Sequence, residues 1–156
     1  MFKDLEGKVV VITGAGSGIG KAMAEQFGDE KANVVINYRS ERHLEVVSQT
    51  IRLIEDAGGK AIKVQADISK EDDVERLIQS AVDQFGTLDI LINNAGFEKP
   101  IPTHEMPLEE WQKVIDVNLT GAFIGSKTAI NQFLKEDKKG VIINTSSVHD
   151  KIPWPN

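Results

Sequence analysis

Two hydrophobic patterns alternate along this chain. Short runs rich in valine and isoleucine, each closed by glycine or polar residues, are typical of strands buried on both faces of a sheet. Such runs predict strands at residues 8–13, 33–38, 60–66, 88–92 and 141–145. The longer segments between them carry apolar residues at helical spacing, and they predict helices over residues 18–31, 41–57, 70–85 and 108–134.

Further signals mark the ends and faces of these helices. Ser69 is the predicted N-cap of the third helix, and Gly58, Gly59 and Gly86 end the second and third. The fourth helix is predicted to pack through one apolar stripe, formed by Trp111, Val114, Ile115, Leu119, Ala122, Phe123, Ile130 and Phe133. The last segment, residues 146–156, contains Pro153 and Pro155 and is predicted to be a loop.

Strands joined by helix-length connections predict an α/β fold. We expect a doubly wound parallel sheet of the Rossmann type, with right-handed crossovers and helices on both faces. No linker or repeat divides the chain, so residues 1–156 are expected to form one dinucleotide-binding domain. Ligands of such sheets bind outside the carboxyl ends of the strands, and the loops that follow the strands should therefore carry the chemistry.

Composition narrows the possible functions. A net charge of −6 disfavours a nucleic-acid-binding protein. The chain has no cysteine, and its three histidines lie far apart, so we predict neither thiolate catalysis nor a metal site. The start of the chain is charged where a signal peptide is apolar, and no apolar run approaches the roughly 20 residues that span a bilayer. We expect a cytoplasmic protein that does not bind membranes.

Three motifs follow predicted strands. After the first strand, TGxxxGxG places glycines where a diphosphate can approach the backbone at a helix N-terminus, although tight turns favour glycine too. After the fourth comes Asn93-Asn94-Ala95-Gly96, and after the fifth comes Asn144-Thr145-Ser146-Ser147. Each of the last two is compatible with an ordinary turn or cap when taken alone. Because all three fall at the ligand-binding edge, a shared functional role is favoured.

With these motifs, and with Asn118 in the segment DVNLTG, the sequence resembles the short-chain dehydrogenase/reductase family over its whole length. Segments 37–40, 104–106 and 147–155 are similar to one branch of that family, the glucose 1-dehydrogenases of spore-forming bacteria. The resemblance implies hydride transfer between a nicotinamide coenzyme and a small-molecule substrate, a sugar or another alcohol. It also implies a homo-oligomer, with the helix from Leu108 as a contact face.

The resemblance also assigns the coenzyme contacts. The diphosphate would meet Gly14, Ser17, Gly18, Ile19 and Gly20. Asp67 and Ile68 would lie at the adenine, although Asp67 also suits a plain turn, and Asn94, Ala95 and Gly96 would border the ribose. The second strand ends without the carboxylate that selects NAD, and Arg39 could bind a 2′-phosphate, so NADP should be accepted without excluding NAD. Arg39 could equally be a solvated turn charge.

For catalysis the resemblance implies that Ser147 holds the substrate oxygen and that Asn118 organises a water relay. Asn118 has a purely structural alternative, as a buried polar group that must find partners. Glu98 and His149 are candidate substrate contacts, and both could equally be solvated loop residues.

The family's YxxxK motif should begin roughly a dozen residues after Ser147, beyond Asn156, and the only tyrosine is Tyr38. We therefore expect the N-terminal portion of a dehydrogenase that is inactive alone, with an uncovered fifth strand that favours aggregation. Two alternatives remain open: a dinucleotide-binding module without catalysis, and a ketone or 3-oxoacyl reductase of the same family.

Overall fold

The computed structural model describes residues 4–152, which form one five-stranded sheet with helices on both faces. The strand order is β3-β2-β1-β4-β5, and every neighbouring pair is parallel. The strands are β1 (Val9–Ile12), β2 (Asn33–Tyr38), β3 (Lys60–Gln65), β4 (Ile90–Asn93) and β5 (Val141–Asn144). The strand order reverses between β1 and β4, so the predicted doubly wound fold is confirmed.

The connections between strands are helical, as predicted. The α-helices are α1 (Gly18–Asp29), α2 (Leu44–Asp56), α3 (Glu71–Phe85), α4 (Leu108–Ile115) and α5 (Gly121–Lys135). A 3₁₀ turn at Glu41–His43 precedes α2, and a π-helical turn at Asp116–Thr120 joins α4 to α5. None of the helices between residues 4 and 152 is both long and apolar enough to cross a membrane.

Alternation along the central strands divides the core into two layers. Val10 and Ile12 of β1 face the layer that contains Ala24 of α1 and Val47 of α2. Val11 faces the opposite layer, whose other members include Leu77, Ile78 and Ala81 of α3 and Ala129 and Phe133 of α5. Successive strand residues point to opposite faces, so one run of valine and isoleucine supplies both layers.

The prediction of Ser69 as an N-cap is wrong. Helix α3 begins at Glu71, and its N-cap, Lys70, makes no capping bond through its side chain. The Ser69 hydroxyl instead donates to the Asp67 carboxylate at 2.8 Å. A serine hydroxyl used by a local turn is no longer free to cap a helix.

The last segment also departs from the predicted loop, because a 3₁₀ turn forms at Val148–Asp150. Pro153 and Pro155 lie outside the described residues.

The predicted apolar stripe of the long helix is mostly not the buried one. Trp111, Leu119, Phe123 and Ile130 are between 47% and 64% exposed. The buried face of α5 instead consists of small, apolar and polar residues: Gly121, Ile124, Gly125, Ala129, Gln132 and Phe133. The helix carries two apolar surfaces, and periodicity alone could not tell which one the sheet covers.

Candidate functional site

The loops after β1 and β4 lie against each other at the carboxyl edge of the sheet, where the strand order reverses. The Thr13 hydroxyl oxygen accepts hydrogen bonds from the backbone N–H of Asn94 at 2.9 Å and of Ala95 at 3.0 Å. The Asn94 amide donates in return to the Thr13 carbonyl at 2.9 Å. Two motifs that are about 80 residues apart in sequence are therefore joined into one structure.

Glycine is required at Gly14 in the loop after β1 and at Gly20 in the first turn of α1. Gly14 has a φ of +65°, and a Cβ there would lie 2.7 Å from the Cα of Ala95. A Cβ on Gly20 would lie 2.6 Å from both the Gly14 carbonyl oxygen and the Asn94 side-chain nitrogen. Any larger residue would push the two loops apart, so the close packing of the edge depends on these glycines.

The same loop leaves backbone donors free at the start of α1. Ser17, Gly18 and Ile19 are exposed, and their N–H groups have no hydrogen-bond partner in the part of the chain that the structure describes. The first turn of α1 contains no acidic residue. Unpaired N–H groups and the positive end of the helix dipole favour an anion here. This arrangement fits the diphosphate of a dinucleotide.

The end of β2 closes the other side of the loop. The side-chain oxygen of buried Asn37 accepts a hydrogen bond from the Gly14 N–H at 3.0 Å. Gly16 packs so tightly that a Cβ there would lie 3.1 Å from the Cβ atoms of Tyr38 and His43. Sequence reasoning gave no functional role to Asn37 or His43. A buried asparagine within the apolar run of β2 was the available signal for the first, whereas no local signal marked the second.

Arg39 lies next to this loop with its guanidinium available. The residue is exposed, and among residues 4–152 no hydrogen bond or ion pair involves its side chain. Its backbone is fixed, because its carbonyl accepts a hydrogen bond from the Gln65 side chain at 3.1 Å. An unpaired guanidinium can form a two-pronged contact with a phosphate group.

Asp67 and Ile68 occupy the loop after β3. The Asp67 carboxylate accepts hydrogen bonds from the N–H and the hydroxyl of Ser69, so it has the turn role that the sequence left open. The Asp67 N–H donates to Asp73 at 2.7 Å and, together with Arg76, holds the pKa of the Asp73 carboxyl below its usual range. Ile68 is buried against Val74 and Ile124. Adenine contact by Asp67 and Ile68 stays a prediction.

Asn118 fastens the loop after β4 to the long helix. It stands in the π-helical turn, where its side-chain oxygen accepts the Phe97 N–H at 3.0 Å and its nitrogen donates to the Phe97 carbonyl at 2.9 Å. Gly96 lies against it, since a Cβ there would be 3.3 Å from the Asn118 oxygen. π-helical turns occur frequently at functional sites. Exposed Glu98 follows Phe97 directly.

Ser147 lies in the segment that follows β5, the strand next to β4. It is exposed, and its hydroxyl oxygen accepts a hydrogen bond from the His149 N–H at 3.2 Å. The His149 ring is bonded through Nδ1 to the Ile152 carbonyl at 2.9 Å. Both residues therefore lie at the same edge of the sheet as the glycine-rich loop, because β5 runs parallel to β1 and β4.

A family model described as short chain dehydrogenase matches residues 8–156. The chain belongs to the short-chain dehydrogenase family. Glucose 1-dehydrogenase 2 of Bacillus subtilis is 50% identical over 99% of this chain and 60% of its own length. 3β-Hydroxysteroid dehydrogenase 1 of Eggerthella lenta is 53% identical over 100% of this chain and 59% of its own length. Glucose 1-dehydrogenase of Gluconobacter oxydans is 41% identical, over 99% and 58% respectively.

A solved structure agrees with these matches. A short-chain type dehydrogenase/reductase from Mycobacterium marinum superposes with a TM-score of 0.89 at 33% identity, covering 97% of this chain and 60% of that one. The family and the similarity to glucose 1-dehydrogenases are thus confirmed. This short-chain dehydrogenase spans about 60% of the length of the curated relatives it matches.

Side chains that could bind a metal are not clustered in the part of the chain that the structure describes. Within residues 4–152, no group of three or more His, Asp or Glu side chains is placed to hold a metal ion. A group of charges lies at the opposite edge of the sheet, where Asp89 contacts Lys138 at 3.0 Å and Lys8 at 3.5 Å. Burial favours the neutral form of Asp89, but the Val9 N–H and Lys138 outweigh it and lower the pKa of this carboxyl. These charges join β1, β4 and the segment before β5.

Proposed function

We propose that this short-chain dehydrogenase oxidises the hydroxyl group of a sugar or another alcohol with NADP or NAD as the hydride acceptor. The observation that carries the proposal is the set of unpaired N–H groups of Ser17, Gly18 and Ile19 at the reversal of strand order. Because the chain spans about 60% of its curated relatives, the activity is proposed for the whole protein.

The coenzyme would be held mainly by backbone groups. The N–H groups of residues 17–19 would bind the diphosphate, and Gly14 and Gly20 would keep side chains out of its way. Arg39 would bind a 2′-phosphate, which is why NADP should be accepted. NAD should bind too, because the diphosphate contacts are the same for both coenzymes and do not need the 2′-phosphate. Asn94, Ala95 and Gly96 would border the ribose next to the adenine.

The chain's own residues would bind and orient the substrate. The Ser147 hydroxyl would donate a hydrogen bond to the substrate oxygen, and Asn118 would hold the loop after β4 and a water molecule beside it. When bound, the coenzyme would supply the carbon that accepts the hydride. Tyr38 cannot remove the hydroxyl proton, because it is only 8% exposed and packs beside Gly16. Proton removal stays with the YxxxK pair that the resemblance implies.

Glucose is the leading substrate, since relatives named glucose 1-dehydrogenase share 50% and 41% identity with this chain. Glu98 and His149 would then bond sugar hydroxyls. A steroid hydroxyl is the second candidate, because the relative named 3β-hydroxysteroid dehydrogenase 1 is 53% identical. Both candidates are alcohols, so the reaction type is the same for each. A reductase of ketones or 3-oxoacyl groups would run that chemistry in the opposite direction.

The experiment that tests this proposal compares Ser17→Asp with Ser17→Asn. Aspartate is a favourable N-cap for α1, so neither variant should unfold the protein. Its carboxylate would nevertheless repel the diphosphate, and we expect its Kd for NADP and NAD to rise at least about 10-fold, whereas asparagine should have little effect. Isothermal titration calorimetry measures both constants, and the rate of NADPH formation with glucose or a 3β-hydroxysteroid identifies the substrate.

Two results would count against this function. Folded protein that takes up neither coenzyme would point away from a dehydrogenase and from any dinucleotide-binding module. Tight coenzyme uptake without turnover of an alcohol in either direction would instead favour the module without catalysis.

A further inference from the structure

Asn37 uses both polar atoms of its side chain at the end of β2. It is 2% exposed. Its side-chain oxygen accepts the Gly14 N–H at 3.0 Å, and its side-chain nitrogen donates to the carbonyls of Ala66 at 3.0 Å and Val64 at 3.4 Å. Its backbone carbonyl also accepts the Ala15 N–H at 2.8 Å. One residue therefore ties β3 and two consecutive amides of the glycine-rich loop together.

Gly14 needs such a tie more than a residue with a side chain would. A glycine populates positive and negative φ about equally, so its own sterics do not fix the φ of +65° seen here. The bond to Asn37 fixes the orientation of the Gly14 N–H from the side of β2. Thr13 and Asn94 hold the same turn from the side of β4.

We propose that Asn37 is a positioning residue for the coenzyme diphosphate, an inference that rests on the proposed function. By engaging the N–H groups of Gly14 and Ala15, it fixes where the loop begins. The next exposed N–H groups, at residues 17–19, are then held in place without internal partners. Asn37 acts through the loop, so it belongs to the binding machinery without touching the reacting atoms.

This role predicts how the affinities for NAD and NADP change relative to each other. Both coenzymes carry the same diphosphate, so loss of the Asn37 bond should weaken NAD and NADP by the same factor. Loss of the Arg39 guanidinium should weaken NADP alone, because only NADP carries a 2′-phosphate. The ratio of the two dissociation constants therefore separates an effect on the loop from an effect on the ribose.

The test compares Asn37→Ala with Asn33→Ala by calorimetry in the purified protein. Asn33 is the matched control, because it lies on the same strand at the opposite end and its side chain donates to the Gly7 carbonyl at 3.0 Å. We expect Asn37→Ala to raise the Kd for NAD and NADP equally, by about 10-fold, as the loss of one positioned hydrogen bond implies. Asn33→Ala should leave both constants unchanged, although its melting temperature falls as well.

Hydrogen exchange provides a second readout. The backbone amide of Gly14 should lose protection in Asn37→Ala, while amides in the centre of β1 keep theirs. If Asn37→Ala does not fold, Asn37→Ser retains an oxygen at the position and should show a smaller, equal rise in both constants.

Three outcomes would overturn the inference. Unchanged coenzyme affinity in a folded Asn37 variant would refute it while leaving the proposed function intact. Selective loss of NADP would assign Asn37 to the ribose instead. Wild-type protein that binds neither coenzyme would remove the proposed function and the inference with it.

Discussion

β4 and β5 lie side by side with nearly the same sequence, ILIN and VIIN, yet their surroundings differ sharply. All residues of β4 are buried, whereas Val141 and Ile143 of β5 are 52% and 44% exposed. The two strands pair in register, Ile92 with Ile143 and Asn93 with Asn144. β4 is hydrogen-bonded on both sides and β5 on one side only, within residues 4–152.

The comparison separates two properties that one sequence pattern combines. A run of branched apolar residues is enough to make a strand, because such side chains fit an extended backbone. Burial depends on whether neighbouring strands and helices cover the strand, and the run itself carries no information on that. Paired substitutions at matched positions of β4 and β5 measure the difference directly.

The largest expected effect on stability concerns Ile92 and Ile143, which pair between β4 and β5. Ile92→Ala should lower the free energy of unfolding by about 3 kcal/mol, because it opens a cavity in a fully covered core. Ile143→Ala should cost less than about 1 kcal/mol, since nearly half of that side chain is already in solvent. Urea unfolding at one pH measures both values. Equal costs would mean that β5 is covered in solution.

The next largest difference in unfolding free energy is expected between substitutions of Asn93 and Asn144, which also pair between β4 and β5. The Asn93 side-chain nitrogen donates to Asn144 at 2.9 Å, to the Ser126 hydroxyl at 3.1 Å and to the Ala122 carbonyl at 3.3 Å. Asn93→Ala would remove these hydrogen bonds at a buried position and should cost about 2 kcal/mol. Asn144→Ala at the exposed position should cost about 0.5 kcal/mol. The same urea titration compares them, and a reversed order would show that Asn144 is the important partner.

Charges at the amino ends of the strands predict how stability depends on pH. The Asp89 pKa lies below its usual 3.8, and the Glu136 pKa lies below its usual 4.5 because bonds to Thr87, Gln132 and Lys138 outweigh the burial that opposes ionisation. The unfolded chain therefore binds these protons at a higher pH than the folded one. Their stabilisation is complete above about pH 5 and is lost as the pH falls below about 4 through the lowered values.

Asp89→Asn should cost about 1–2 kcal/mol at pH 7, and its difference from wild type should shrink below pH 4. Thermal unfolding at several pH values tests this. Asp56→Asn, at the exposed last residue of α2, is the control for the loss of one negative charge, and it should destabilise the protein less than Asp89→Asn does. A wild-type protein that is equally stable at pH 7 and pH 3 would contradict the prediction.

The smallest effect on stability is expected at the exposed helix face. Phe123 is 64% exposed, and Phe123→Lys should change the free energy of unfolding by no more than about 0.5 kcal/mol. If the homo-oligomer that the family resemblance implies uses this face, the same variant should dissociate to a smaller species in sedimentation velocity experiments. Leu53→Lys, equally apolar but on α2 and 53% exposed, should leave the oligomeric state unchanged. Dissociation by Leu53→Lys alone would place the contact elsewhere.

The sequence predicted β2 to the residue and every other strand within two residues at each end, because the apolar runs are short and sharply bounded. It also predicted the family through TGxxxGxG, NNAG and Asn118. It was wrong about Ser69, whose hydroxyl donates to Asp67 instead of capping α3. It was also wrong about the long helix, which is interrupted by a π-helical turn and packs against the sheet through a different surface from the predicted apolar stripe. Local sequence could not have corrected either prediction, because each outcome depends on which other residues contact the segment in the folded protein.

The sequence by itself determined the α/β alternation, the placement of glycines where the backbone must turn at positive φ, and membership of the short-chain dehydrogenases. These properties reside in local conformation and in motifs of adjacent residues. The tertiary structure alone decided that Asn37 holds Gly14, that Thr13 receives the NNAG segment, and that ILIN is buried while VIIN is exposed. The reason is physical: hydrogen-bond satisfaction and burial depend on segments far apart in the chain, and only folding brings those segments together.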